Sequence, residues 1–249
     1  MPRPLIDLLW RDAPGAPTGG RRGPRAKHST ADVVDQAIAM ADAGGIATVT
    51  IRALAHALGM TTMSVYTHVN SRGDLLVLMA DHVHGQMNLT AFEDSDWLTR
   101  LRRVADDNLA LLRSHPWLLE VDDPRITLGP GTIAKYDHEL HAFDGTPLSD
   151  LDRDAALTFV LDFVRSSASR IGQAPSTDDF GEIWEQSAAS MINYLGDDHA
   201  LAQRVGGVAG EAMGGPYDAK RAWEFGMARV ISGLAGLMKP DQPSPPSGL

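Results

Sequence analysis

The chain has 249 residues, of which 43% are hydrophobic and 22% charged, with a formal net charge of −10 and no cysteine. This length suits one large helical domain or two smaller ones. The lack of cysteine excludes disulfides, thiol nucleophiles and zinc sites built on thiolates. We expect neither a secretory signal nor a membrane-spanning helix, which needs about 20 apolar residues, and hence a soluble protein of the cytoplasm.

The charge is divided unevenly along the chain. Residues 1–72 carry a net charge of +3, and the remainder carries −13. No acidic residue occurs between Asp42 and Asp74, a gap of 31 residues that contains Arg52 and Arg72. A surface that approaches phosphates excludes carboxylates in this way, because each would repel a nucleic acid. A buried segment is the alternative, but the polar content of the gap argues against it.

A basic stretch precedes the first long helical pattern. The apolar cluster Leu5–Trp10 is followed by a Pro- and Gly-rich segment and then by basic residues that include Arg25 and Lys27. Pro and Gly disfavour a helix, so we predict a flexible arm over residues 1–28. Such an arm can reach a DNA groove or phosphates, which makes Arg25 and Lys27 candidate contacts. A disordered solubilising tail is the alternative.

Helical periodicity in the rest of the chain predicts an all-α fold. A Ser29-x-x-Asp32 start opens the first helix, and Gly44-Gly45 ends it. From Trp97 onward, apolar residues recur at i, i+3 and i+4 almost throughout. The helices predicted there cover 96–114, 130–142, 148–170, 177–195, 197–206 and 217–238.

Residues 50–68 are typical of a helix, a glycine turn and a short second helix. The small Ala55 permits close helix crossing, and Gly59 is expected to adopt a left-handed conformation. In the second helix, Thr62–His68, only Val65 and the following Val69 are expected to face inward. This is a helix-turn-helix arrangement, in which the second helix enters the major groove with its N-terminal residues at the base edges.

The sequence here resembles the tetracycline-repressor (TetR) family of transcriptional regulators. The resemblance covers Ser29–Val83 and is carried by Thr48–Ala55, Leu58-Gly59-Met60, Ser64–Val69 and Leu75-Leu76. A weaker similarity to the ligand-binding domain of the tetracycline-repressor-like subgroup is carried by Trp97, His115-Pro116-Trp117 and Leu128-Gly129-Pro130.

The resemblance implies a domain organisation. We expect an N-terminal three-helix helix-turn-helix DNA-binding domain over residues 29–84. A C-terminal helical domain for effector binding and dimerisation would follow over 85–239, and a disordered tail over 240–249.

Carried over residue by residue, the resemblance assigns DNA contacts. Arg52 would reach a base edge or a phosphate. Thr61 and Thr62 would face DNA at the start of the recognition helix. Met63 would offer an apolar contact, for instance to a thymine methyl. The tetracycline repressor itself has proline at the position of Met63 and glutamine at that of Thr62, so we expect a different operator sequence.

Three further residues are assigned to phosphate contacts by the same resemblance. Tyr66 and His68 would position the recognition helix, and Arg72 would hold a phosphate at the start of the next helix. The alternatives are a core aromatic residue for Tyr66 and a capping side chain for His68.

The acidic half is expected to form a homodimer. In the family, two helices from each subunit pack as a four-helix bundle, and the segments 148–170 and 217–238 are the best candidates for these helices here. Two-fold symmetry would imply a palindromic operator. Core helices of a monomer are the alternative. The small residues that would permit close packing are Ser166, Ser167, Gly226, Gly233 and Gly236.

Candidate effector-binding residues lie near the domain junction and at aromatic or Met positions of the acidic half. Plain core packing is the alternative for each. Asn88 stands where the tetracycline-binding family member has a histidine, so we do not expect tetracycline to be the effector. The candidates are His82, Met87, Asn88, Trp117, Phe143, Phe159, Trp184 and Met191.

No metal or cofactor is predicted. His138 and His141 have i, i+3 spacing but lack a third ligand, so we expect surface residues. An enzyme is disfavoured because the acidic pairs, such as Asp106-Asp107, point to different faces of a helix and no nucleophile–base set emerges.

The sequence therefore predicts a homodimeric, ligand-responsive transcriptional regulator. The simplest form is a repressor that a small-molecule effector releases from double-stranded operator DNA. The alternative is a helical small-molecule-binding or interaction protein that does not bind DNA.

Overall fold

A computed structural model describes residues 3–16, 27–93, 95–173, 199–213 and 218–238, with 183, 186–187, 190–191 and 193–196. All regular structure in these ranges is helical, which confirms the all-α prediction. The α-helices are α1 (Leu5–Leu9), α2 (Thr30–Gly44), α3 (Ile51–Ala57), α4 (Thr62–Val65), α5 (Arg72–Gly85), α6 (Trp97–Ser114), α7 (Pro130–Leu140), α8 (Asp150–Gln173), α9 (Ala200–Met213) and α10 (Ala219–Leu237). Short 3-10 helices cover Ile46–Thr48, Pro116–Glu120, Pro124–Leu128 and His141–Phe143.

Helix α2 has the termini that its sequence predicts. The Ser29 side chain accepts a hydrogen bond from Asp32 N–H, and the Asp32 carboxylate accepts one from Ser29 N–H at 2.7 Å. This reciprocal pair is a capping box. At the other end, Gly45 has φ +78°, a left-handed value that glycine adopts without strain.

The chain divides into two compact units, residues 1–161 and 162–249. The predicted boundary at 84/85 does not coincide with this division. The two boundaries differ because α5 contacts α7 across residue 85. The contact is so close that a Cβ added to Gly131 would lie 2.8 Å from Gly85 N. The helices on the two sides of residue 85 therefore pack as parts of one unit.

The arm prediction for residues 1–28 is wrong at its N-terminal end. Leu5–Leu9 forms helix α1, and Leu8 and Leu9 belong to the same buried core as α2 and α5. Burial of these two leucines stabilises a helix that the Pro and Gly residues after it could not support alone. Residues 17–26, which include Arg25, lie outside the described residues, and Lys27 is exposed.

In the second unit, α8 and α10 pack closely. The Phe163 and Trp223 rings stack with centroids 5.4 Å apart, and a Cβ on Gly226 would lie 2.5 Å from the Phe163 ring. Gly226 therefore allows close approach within the chain. No helix among the described residues is both long and apolar enough to cross a membrane.

Two predicted segments of the acidic half have different outcomes. The segment 197–206 is a longer helix, α9, which continues through the glycine-rich stretch to Met213. Most of the segment 177–195, and all of the tail 240–249, lie outside the described residues.

Candidate nucleic-acid interface and sensing half

A glycine turn positions α4 after α3. Gly59 has φ +61°. Met60 N–H donates to Ala55 O at 2.9 Å, and Gly59 N–H donates to His56 O at 3.1 Å. These two bonds form the Schellman motif that commonly ends a helix at a left-handed glycine. The glycine turn predicted at Gly59 is confirmed.

Helix α4 is shorter than predicted and begins with a side-chain cap. The Thr61 hydroxyl accepts a hydrogen bond from Ser64 N–H at 3.1 Å. The α-helical part ends at Val65, and residues 66–68 continue as turns. Val65 and Val69 are buried, as predicted. The hydroxyl of Thr61 therefore holds the helix start, which leaves contacts with other molecules to the residues that follow.

The outer side of the helix-turn-helix segment is exposed and unpaired. Met63 is 72% exposed and Tyr66 is 48% exposed, which excludes the core position considered for Tyr66. Arg52 and Thr62 are also exposed. Within the described residues, neither Arg52 nor Tyr66 forms a side-chain hydrogen bond or ion pair. These side chains are available to an external partner.

His68 is bound within the protein. Its Nδ1 lies 3.2 Å from Thr30 Oγ1, so the residue joins the end of α4 to the start of α2. Burial lowers the pKa of His68, and the nearby His28 acts in the same direction. The contact with Thr30 favours the alternative of a structural side chain, while the contact of His68 with a phosphate stays a prediction.

Arg72 is also engaged by the fold. Its Nε donates to Val49 O at 2.7 Å and its Nη2 donates to Ile46 O at 2.8 Å. These carbonyls lie in the turn just before α3, where helical partners are lacking. Arg72 therefore positions the helix-turn-helix segment on α5, while its contact with a phosphate stays a prediction.

The N-terminal segment is fastened at two points. Asn70 Nδ2 donates to Arg3 O at 2.8 Å, and Trp10 Nε1 donates to Leu128 O at 2.8 Å. The first contact lies just before α5 and the second lies just before α7. Residues 3–10 therefore connect the helix-turn-helix side of the first unit to the start of α7.

The predicted effector residues that the structure describes lie in different parts of the fold. Trp117 is 1% exposed, and its Nε1 donates to Asp42 Oδ1 at 2.7 Å. Phe143 is fully buried. Both side chains are packed in the core, which favours the alternative of plain core packing, and their contact with an effector stays a prediction. Phe159 and Met191 are exposed and belong to different compact units. Trp184 lies outside the described residues.

The remaining effector candidates surround the end of α5. Asn88 is exposed, and its Oδ1 accepts a hydrogen bond from Thr90 N–H at 3.1 Å, whereas Met87 is half-buried. His82 Nε2 lies 3.1 Å from Asp35 Oδ1. His82 also lines a cavity of about 450 Å³ between the N-terminal segment, α5 and the start of α7.

Sequence reasoning missed a polar junction between α5 and α7. The carboxylate of the buried Asp81 accepts a hydrogen bond from Thr132 N–H at 2.8 Å and so caps α7, whose own N-cap residue is Gly129. A Cβ on Gly129 would lie 2.0 Å from Asp81 Oδ1. Burial raises the pKa of Asp81, and the hydrogen bonds from Thr132 oppose this shift. The signal that marked this site was the Leu128-Gly129-Pro130 motif.

A second contact reinforces the junction. His84 Nδ1 lies 2.9 Å from Thr132 Oγ1. Burial lowers the pKa of His84 to about 3, and the charge of Lys135 adds to this effect. His84 is therefore uncharged at neutral pH. One residue of α7 is thus bound by two residues of α5.

The polar network continues into the interior of the first unit. Lys135 Nζ donates to Glu139 Oε2 at 2.7 Å, and Asn108 Nδ2 donates to the other oxygen of Glu139. Glu139 is 2% exposed and Lys135 is 7% exposed. Polar contacts therefore link α5 to α7, and α7 to α6. Among the described residues, no group of three or more potential ligands is placed to hold a metal ion.

The fold and the exposed surface around α4 define a class: a helix-turn-helix protein with a larger helical C-terminal half. The model of the tetracyclin repressor-like C-terminal domain matches residues 90–238. The HTH-type transcriptional repressor DrrR1 of Streptomyces coeruleorubidus is 30% identical over 241 residues, which cover 94% of this chain and 85% of that protein. The chain belongs to the TetR family of transcriptional regulators.

Solved structures share this fold. ActR of Streptomyces coelicolor in complex with actinorhodin is 22% identical, with a TM-score of 0.71 over 86% of this chain and 98% of that one. BioQ with its natural double-stranded DNA operator is 20% identical, with a TM-score of 0.55 over 84% of this chain and 99% of that one. At these identities the likeness concerns the fold.

Proposed function

We propose that the protein is a transcriptional repressor that binds operator DNA through α3 and α4 and is released by a small molecule. The observation that carries this proposal is the exposed surface of Arg52, Met63 and Tyr66, which lies within the acid-free stretch of the chain. Membership of the TetR family supports it. So does the resemblance to DrrR1, a protein named as a repressor.

Each exposed side chain has a role in this proposal. Arg52 binds a guanine edge or a phosphate. Thr62 and Met63 read bases at the start of α4, and Tyr66 contacts the DNA backbone. Thr61 contributes through its backbone, since its hydroxyl caps the helix. Arg25 and Lys27, before α2, bind phosphate or a groove.

The effector acts through the junction between α5 and α7. Helix α5 continues from the helix-turn-helix segment, and its Asp81 and His84 both bind Thr132 of α7. A ligand that prefers a shifted position of α7 would move α5 and with it the DNA-reading helices. Such a difference in affinity between two states is what couples the two sites.

The working form is a homodimer. On α8, Leu151 is 78% exposed and Phe159 is 53% exposed; on α10, Phe225 is 65% exposed and Leu237 is 58% exposed. Large exposed apolar side chains favour an interface with a second copy. In the same two segments, Val160, Val164, Trp223, Val230 and Leu234 are buried within the chain and do not contribute.

A two-fold dimer would read a palindromic operator in the cytoplasm. The protein acts without catalysis, since its function is the exchange of one bound partner for another. The proposal gives this chain two kinds of partner: operator DNA, as in the BioQ complex, and a small molecule, as in the ActR complex with actinorhodin.

The proposal is tested by the retention of DNA from upstream of the protein's own gene, measured over a range of salt. Wild-type affinity should fall steeply with salt. Arg52→Ala should weaken binding by about 1–3 kcal/mol if the side chain reads a base, or lower the salt slope by about 0.9 if it binds one phosphate.

Arg113→Ala is the matched control. Arg113 is an exposed residue of α6 whose side chain forms no hydrogen bond or ion pair within the described part of the chain, so its loss should leave DNA binding almost unchanged. If the wild-type protein retained no upstream fragment at any salt concentration, the repressor proposal would be wrong.

A further inference from the structure

We propose that the groove between the α5–α6 loop and the outer face of α7 binds a planar aromatic acid. This inference rests on the proposed function, because the compound would be the effector, and it replaces the set of effector residues expected from the sequence. The groove encloses about 510 Å³, a volume within the range of small-molecule sites. Its lining residues are Leu89, Ala91, Phe92, Arg100, Ala134, Asp137, His138, His141 and Asp144.

One wall of the groove is aromatic. The Phe92 and His138 rings stack with centroids 4.6 Å apart and an interplanar angle of 17°. The Arg103 guanidinium lies 5.5 Å from the centre of the Phe92 ring. Burial lowers the pKa of His138, with Arg103 acting in the same direction, so the imidazole stays uncharged. With Leu89 and Ala134, this pair makes one side of the groove aromatic and apolar, which suits a ligand that carries an aromatic ring.

The groove is also lined by a cationic donor, Arg100. Arg100 Nε is buried and has no hydrogen-bond partner among the described residues, while Nη2 of the same guanidinium donates to Asp144 O. A buried guanidinium N–H without an acceptor is costly, and a carboxylate is its best partner. Arg100 is therefore the group that selects an acid.

The nearby carboxylate of Asp144 does not neutralise Arg100. Its oxygens are bound by His141 Nδ1 at 2.6 Å and by Arg153 Nη1 at 3.1 Å. These partners also hold the pKa of Asp144 below its usual value, with His141 contributing most. Asp137 is largely exposed, and its nearest approach to His141 is 4.0 Å. The Asp96 carboxylate also interacts with the charge of Arg100, so the group left for a ligand is the unpartnered Nε–H.

The groove is connected to the DNA-reading helices by α7. Ala134, Asp137, His138 and His141 lie on one face of this helix and its end, while Thr132 in its first turn binds Asp81 and His84 of α5. A ligand that displaces this face of α7 therefore acts on the junction with α5 directly.

The test compares three probes by calorimetry on the full-length protein: anthraquinone carboxylate, the uncharged hydroxymethylanthraquinone and the non-planar cyclohexane carboxylate. The planar acid should bind the wild-type protein at least about tenfold more tightly than either other probe. Arg100→Gln should weaken binding of the planar acid by about tenfold, equivalent to about 1.4 kcal/mol, and should leave the planar alcohol unaffected.

Two further variants locate the site. Phe92→Ala should weaken binding of both planar probes, because the stacking surface is lost. Arg113→Gln removes the same charge from the same helix outside the groove and should change nothing. Equal binding of the planar acid and the planar alcohol, or equal effects of the two arginine variants, would overturn the proposal.

The failure of this inference is distinguishable from that of the proposed function. Retention of the upstream DNA is measured on each protein without probe, and Arg100→Gln should retain DNA as the wild type does. DNA retention without selective probe binding would overturn the groove alone. Probe binding without any DNA retention would overturn the repressor proposal and leave the groove as a ligand site.

Discussion

The surface around α4 and the interior around α7 use polar residues in opposite ways. In and next to α3 and α4, Arg52 and Tyr66 are exposed and unpaired within the described chain. Around α7, Lys135 and Glu139 are buried and satisfy each other. Free side chains at a surface contribute little to folding and are available for binding, whereas a buried pair is costly to separate. Substitutions in the two regions should therefore affect different measurements.

Removing one partner of the buried pair should give the largest loss of stability. Lys135→Met leaves Glu139 buried without its cation, and we expect a loss of about 3–5 kcal/mol in the free energy of unfolding. Chemical denaturation at a fixed protein concentration measures this, since stability of a dimer depends on concentration. The double variant Lys135→Met/Glu139→Leu should recover most of the loss. If the single and double variants were equally unstable, the pair would not be the cause.

The pH dependence of stability should also arise in the interior. The pKa of His84 is 6.5 in the unfolded chain and about 3 in the folded one, so between these values the unfolded state binds more protons. Stability from this group is complete above pH 6.5 and is lost as the pH falls through this window. Lowering the pH from about 7 to about 5 should cost about 2 kcal/mol.

His84→Asn separates this contribution from that of Asp81. Burial raises the pKa of Asp81, which gives the opposite slope at acidic pH, but Asp81 is present in both proteins. The lowered pKa values of His68 and His138 cost both proteins stability on acidification, so the test is the difference between them. In denaturation of each protein at both pH values, the wild type should lose about 2 kcal/mol more than the variant. Parallel losses in the two proteins would mean that His84 is not the titrating group.

Local sequence signals predicted the DNA-reading half well because its structure is set by short-range interactions. The capping box at Ser29 and the left-handed turn at Gly59 each depend on a few neighbouring residues. Val65 and Val69 follow from helical spacing and are buried as expected. These features needed no knowledge of what packs against them.

The sensing half was less predictable because its contacts join residues far apart in the chain. Asp81 is hydrogen-bonded to Thr132, and Trp117 to Asp42, across long sequence separations. An aromatic residue in a helix pattern is equally compatible with a core and with a cavity, and Trp117 proved to be core. The groove residues Phe92 and Arg100 belong to a loop and a helix start, where periodicity gives no information.

Arg72 and Arg52 allow a direct comparison of a residue bound within the fold with a free surface residue, because both lie in the acid-free stretch. Arg72→Ala should lower stability by about 1–2 kcal/mol, since Val49 O loses the hydrogen bond from Arg72 and Ile46 O keeps only that from Val49 N–H. It should also weaken DNA binding through the displacement of α3. Arg52→Ala should weaken DNA binding with no change in stability. Thermal unfolding and DNA retention, measured on both variants, separate the two roles. An Arg72→Ala protein of wild-type stability would restore Arg72 as a direct phosphate ligand.

The smallest effect is expected where the two regions are joined. Trp10→Phe keeps most of the ring but removes the hydrogen bond to Leu128 O, and we expect a loss of about 1 kcal/mol in the free energy of unfolding. Trp10 precedes the basic stretch, and Leu128 lies just before α7, so the same bond helps to hold the N-terminal segment against the sensing half. Asn70→Ala, which releases Arg3 O at the other end of this segment, is the matched comparison. If the segment connects the two regions, each variant should change the ratio between the DNA affinities measured with and without effector. If the role of each bond is purely local, the variants should change stability alone.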